Sequence, residues 1–284
     1  MTYANILTLA SGGEEDAVTL ALAADLAVQH GAMARVLSIM PELWATPGGS
    51  WGEGFYAAEI WSALLDANAE TQKKLLARAN AIAREAGLPF GATEGPGLTM
   101  LDQALTLWRG LDSELPLTDL VVAGPWHVRR DGPWLGVLGE VVMSGHAPLL
   151  IAREAKAPAG RPAVVFWDGS LEAGRAARAA APLLRQASET LIVQQAARLD
   201  DAERDHSDPA LLAAYLGRRG VEKASVVRTL SSGEDDLAVA AMSYQPGLLV
   251  AGAYGHSRLG ESLFGGATRR FLAIEDGPSL LIAH

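Results

Sequence analysis

Short apolar runs alternate with long alanine- and leucine-rich stretches along the whole chain. In the second half, runs near 163–167, 190–195, 224–228, 247–251 and 279–283 read as strands. Stretches near 171–187, 208–219, 233–243 and 266–275 read as helices. The strand runs are nearly continuous in apolar residues, as in strands buried on both faces of a parallel sheet. Strands and helices in strict alternation predict an α/β protein with a doubly wound, Rossmann-like sheet. Such sheets bind ligands outside the carboxyl ends of their strands, where strand order reverses. Asp168 and Gly252 each follow an apolar run directly, and both fall at that edge.

The pattern also repeats. Thr118–His127 parallels Pro246–Gly255, and Ala147–Arg153 parallels Gly277–His284. The front ends pair Ile6–Gly12 with Val164–Ser170, which sets Ala10 against Asp168. An internal duplication accounts for all three pairs. The expected organisation is therefore two tandem doubly wound domains, residues 1–156 and 160–284, joined by the Pro- and Gly-containing stretch Glu154–Pro162. The first is longer by an insertion at about 41–69, which opens with turn formers mixed with Trp44, Trp51, Phe55 and Tyr56. A lid, an interface pad and a loop packed on its own domain all fit that composition.

Composition removes several classes of function. The 284 residues include no cysteine, so disulfides, thiolate metal sites and cysteine nucleophiles are excluded. Net charge is −10, which argues against nucleic acid or an anionic membrane as partner. Residues 1–156 hold 10 Lys and Arg against 18 Asp and Glu, whereas 157–284 hold 13 against 15. The second half is the less repulsive toward an anion. The start lacks a basic leader region and no apolar stretch is long enough to span a bilayer, so a cytoplasmic protein is expected. No nucleophile–base pair or metal-ligand spacing can be read around His30, His146, His206 or His284.

The strongest chemical signal lies at 248–268. An apolar strand enters a loop with Gly252, Gly255, Gly265 and Gly266, and the loop opens a helix whose apolar stripe is Ala267, Phe271 and Ile274. Glycines let backbone approach a phosphate, and a helix start offers unpaired N–H groups and a positive dipole end. His256 and Arg258 sit between the glycines, within reach of phosphate oxygens. The spacing Gly-x2-Gly-x9-Gly matches neither the dinucleotide nor the Walker pattern. In the first half His127 and Gly136 stand for Gly255 and Gly265, and Pro125 and Trp126 crowd the loop. That half is expected not to bind the same ligand.

Gly252-x2-Gly255-x9-Gly265 is similar to the ATP-binding loop of the universal stress proteins, whose full form ends in Ser or Thr where this chain has Gly266. The run Val164–Ala176, with Asp168-Gly169-Ser170, resembles that family's opening strand and turn. The resemblance covers the chain as a tandem member with an adenine nucleotide alpha hydrolase-like fold. It implies ATP or another adenine nucleotide in the second half, with Mg²⁺ where the triphosphate is held. It also implies that Asp168 lies beside the adenosine and Gln195 near the adenine, while Thr268 occupies the place of a second family hydroxyl. The activity implied is a nucleotide-dependent stress sensor rather than a fast enzyme. A non-nucleotide scaffold and a slow ATPase remain alternatives. The halves are expected to pack as an intramolecular pseudo-dimer through their last strands, and a whole-chain homodimer stays open. One rival motif, Ser11-Gly12-Gly13, resembles the loop of ATP pyrophosphatases, but Asp16 puts a carboxylate where that loop has a hydroxyl.

Overall fold

Ten strands form one sheet in the order β3-β2-β1-β4-β5-β10-β9-β6-β7-β8. The structure is a computed structural model, and it describes residues 2–39, 56–101, 107–129, 134–195, 207–229, 234–253, 271 and 277–284. The first five strands are β1 (Asn5–Ala10), β2 (Met33–Ser38), β3 (Gly97–Met100), β4 (Leu120–Ala123) and β5 (Leu149–Ile151). The second five are β6 (Ala163–Phe166), β7 (Thr190–Gln195), β8 (Ala224–Thr229), β9 (Leu248–Gly252) and β10 (Ser279–Ala283). All neighbours run parallel except β5 and β10, which pair antiparallel with Leu280 opposite Ile151 and Ile282 opposite Leu149. Each half thus has the same strand order, read outward from this central pair.

Among the described residues the α-helices are α1 (Asp16–His30), α2 (Tyr56–Glu85), α3 (Leu107–Glu114), α4 (Leu135–Met143), α5 (Leu171–Leu184), α6 (Pro209–Arg218) and α7 (Glu234–Met242). They divide between the two faces. Leu20, Leu75, Ala79, Ala180, Leu212 and Leu216 bring α1, α2, α5 and α6 onto one face with Ile6, Val122, Val165 and Val250. Leu111, Leu138, Leu237 and Ala241 bring α3, α4 and α7 onto the other, with Leu7, Val164, Leu249 and Phe271. Both sheet faces are covered, which is why the strands carry apolar residues on both. The five strands and first three helices expected in the second half are present within three residues at each end; the stretch 266–275 lies outside the described residues except Phe271.

Two expectations for the first half change. Residues 56–69 of the insertion belong to the 30-residue helix α2, against 10 residues in α6 of the second half. Residues 41–55 lie outside the described set. The front-end pairing also shifts by one residue. Val122 lies opposite Thr8 and Val250 opposite Val165, so the strands align Thr8 with Val165. Ser11, not Ala10, then stands at the Asp168 position, and Ala10 corresponds to Trp167. The backbone agrees: Gly12 has φ of 90° and Gly169 has 82°.

A candidate ligand edge at the β6–β9 crevice

Strand order in the second half reverses between β6 and β9, so their carboxyl ends border the crevice. The last ladder bond of β6 runs from Trp167 N to Val193 O at 2.9 Å, and Asp168 comes next. Its Oδ1 accepts from Ser170 N at 2.9 Å, folding the chain into a turn about the left-handed Gly169. Ser170 is extended, and its hydroxyl accepts from Ala173 N at 3.1 Å, capping α5. The turn therefore aims the first turn of α5 at the edge.

Gly252 ends β9 against that turn. A Cβ there would stand 2.6 Å from Ala173 N and 2.8 Å from the Glu172 carbonyl carbon. Only a bare glycine lets the helix start lie on the strand end. The structure thus joins Asp168-Gly169-Ser170 and Gly252, two motifs distant in sequence. Gln195 ends β7 on the same edge, half-buried and in register with Thr229. Gly255, His256, Arg258, Gly265, Gly266 and Thr268 lie outside the described residues.

Three residues that the sequence did not single out complete this edge. The Trp167 indole donates to Ser207 O at 2.8 Å, and the buried Gln194 amide donates to the same oxygen at 2.7 Å. Gly169 makes room for Ser207, whose Cβ lies 2.5 Å from where a side chain at Gly169 would begin. Ser207 is itself buried and walls the Asp168 turn on the β7 side. The available signal was polar: two glutamines close a strand whose middle, Leu191–Val193, is apolar, and Gln194 points to the face opposite Gln195.

The corresponding edge of the first half is built differently. Asp16 Oδ2 accepts from Gly12 N at 2.6 Å, Ser11 Oγ from Gly13 N at 3.3 Å, and Arg78 donates to Gly13 O. Turn donors are met by the chain's own side chains in both halves; the difference is that the first half buries a carboxylate, Asp16, behind its turn. Thr8, Asp16 and Thr19 are all buried, and each has an oxygen with no hydrogen-bond partner. Val165, Ala173 and Ala176 stand at the same places in the second half. Burial pushes the Asp16 carboxyl up to about 6, against hydrogen bonds from Gly12 and Ser11 that pull it down. His127 is buried with Nδ1 accepting from Gly124 N at 2.9 Å, and burial pushes its pKa down to about 3. It is therefore neutral with its proton on Nε2. Among the described residues no group of three or more His, Asp or Glu is placed to hold a metal, and no helix is long and apolar enough to cross a membrane.

The architecture has counterparts among solved structures. The chain superposes on a universal stress protein from Archaeoglobus fulgidus with a TM-score of 0.67 and 12% identity, covering 98% of this chain and 97% of that one. The chain has the universal stress protein fold. A functionally unknown protein from Pseudomonas aeruginosa also matches, with a TM-score of 0.55, 12% identity, and coverage of 99% and 92%. No family model matches the sequence, and no curated protein does. At this identity the likeness establishes the universal stress protein fold and leaves the ligand to be argued from the residues.

Proposed function

We propose that the protein is a universal stress protein that holds ATP or a related adenine nucleotide at the β6–β9 crevice and works as a nucleotide-dependent sensor in a stress response. The observation that carries this reading is the meeting of the Asp168 turn and Gly252 at the strand-order reversal, where Gly252 packs on the first turn of α5. Donors at a helix start and a glycine-lined strand end suit an anion. Asp168 and Gln195, both at the carboxyl edge, suit the ribose and base of a nucleoside. His256, Arg258 and Thr268 would supply donors to the phosphates, and a divalent cation such as Mg²⁺ would accompany a triphosphate. The first half buries Asp16 and His127 at its edge and carries Pro125, Trp126 and His127 where the second has Ala253, Tyr254 and Gly255, which favours one nucleotide per chain.

The test is the mass spectrum and absorbance of small molecules released when the purified chain is denatured. An adenine nucleotide in near-stoichiometric amount supports the reading. A chain that carries none and binds none on addition is a scaffold instead. Single-turnover hydrolysis of bound ATP then separates a sensor from a slow ATPase.

A further inference from the structure

Ser207 is held at the carboxyl edge by donors that reach it from two strands. The Trp167 indole, directly after β6, and the Gln194 amide, in β7, both donate to its carbonyl oxygen, at 2.8 and 2.7 Å. A carbonyl has two lone pairs, so both bonds are made at once. The Gln194 amide also donates to the Ser207 hydroxyl at 3.3 Å. Gln194 and Ser207 are 4% and 2% exposed, so water does not compete for these bonds. Beyond Ser207 the chain is fixed as well: Asp208 Oδ1 accepts from Ala210 N at 3.0 Å, capping α6, and from Arg228 Nη2 of β8 at 3.3 Å. On its other side stands Gly169, the left-handed centre of the Asp168 turn. A Cβ there would lie 2.5 Å from the Ser207 Cβ and 2.9 Å from its Cα, so the turn packs directly on the held residue.

The first half makes a different join at the same place. Thr8 lies opposite Val36 and Val165 opposite Ile192, so Ser38 and Gln194, each two residues further on, are equivalent. Ser38 Oγ accepts from Gln72 Nε2 of α2 at 3.0 Å, a bond between two side chains. Ala10 stands in the place of Trp167 and has no side-chain donor to add. The double hold on a backbone oxygen therefore belongs to the half whose edge carries Asp168.

We propose that Trp167 and Gln194 are positioning residues for the nucleoside part of the ligand: by fixing Ser207 against Gly169 they hold the turn that presents the Asp168 carboxylate. For the ligand this rests on the nucleotide reading above; the mechanical link from Gln194 to the turn does not. A carboxylate set in place beforehand spares the ligand the cost of ordering it, so a looser turn lowers affinity for the nucleoside.

Calorimetry on the full chain with ATP and, separately, with adenosine tests it. Gln194→Met and Trp167→Phe each remove one donor to Ser207 O and keep most of the side-chain volume, and Ser38→Ala removes the first half's join as a control. The expected result is affinity for both ligands weaker by similar factors, about three- to tenfold, in Q194M and W167F, with S38A unchanged. No loss in Q194M and W167F, the same loss in S38A, or a loss for ATP that adenosine does not share would overturn the proposal. If the unsubstituted chain binds neither ligand, the nucleotide reading has failed, and hydrogen exchange decides the positioning alone. The Ser170 amide is bonded to Asp168 Oδ1, so its faster exchange in both variants, with that of Leu281 in β10 unchanged, supports the link to the turn. Unchanged exchange of Ser170 refutes it.

Discussion

Gly252 shows how a single absent side chain is used. The space beside it is filled by the backbone of Glu172 and Ala173, which cannot move without shifting α5. Gly252→Ala should therefore destabilise the fold by about 1–3 kcal/mol, read as a lower urea midpoint. Gly266, where the family loop has a hydroxyl, should behave oppositely. Under the proposed nucleotide reading, serine there would add a hydrogen bond to a charged phosphate, worth about 1.5–3 kcal/mol, so Gly266→Ser should raise ATP affinity about tenfold or more by calorimetry. An unchanged affinity with unchanged melting temperature would place the phosphates elsewhere. Asp16 makes a pH prediction. Its folded pKa of about 6 lies above its ordinary value of 3.8, so the folded chain holds this proton more tightly than the unfolded one. Its contribution to stability is complete below about 4 and is lost as pH rises through about 6. Asp16→Asn should flatten the fall in melting temperature across that window and raise stability at pH 7. A slope identical to that of the parent chain would show that the carboxyl is not the titrating group.

At the scale of elements, much was legible because burial on both faces leaves so simple a trace. Runs such as Leu248–Ala251 and Leu280–Ala283 have no polar residue to interrupt them, and their boundaries hold to within a few residues. The α5 start was legible for a second reason, since Ser170 is a capping residue before an alanine-rich stretch. Ser170→Ala should cost about 1 kcal/mol in stability and weaken ligand binding only through the Asp168 turn. Other features left no such trace. The length of α2 hid behind aromatic and glycine residues that read as an insertion. The one-residue slip that set Ala10 against Asp168 came from matching residue types, whereas hydrogen-bond register and the left-handed Gly12 set Ser11 there. Thr8 and Thr19 carry no signal of their own, since threonine is common in strands and tolerated in helices. Their polarity stands out only beside Val165 and Ala176 in the other half.

At the scale of the whole molecule, the antiparallel β5–β10 pair makes one sheet of two similar halves that have diverged in chemistry. Tyr3 donates to Ala179 O at 2.6 Å, tying the approach to β1 to α5 across the junction, and Asp25 accepts from Ala157 N at 2.8 Å, tying α1 to the linker. One edge is lined by the Asp168 turn and Gly252, and the other is closed by Asp16, Trp126 and His127. The measurement that tests this asymmetry most directly is the stoichiometry of ATP binding to the full chain by calorimetry, repeated with Gly255→Val. The account predicts one site per chain, lost in the variant while its circular dichroism matches the parent, because a β-branched side chain blocks close phosphate approach. Two sites per chain, or a single site untouched by the substitution, would contradict it.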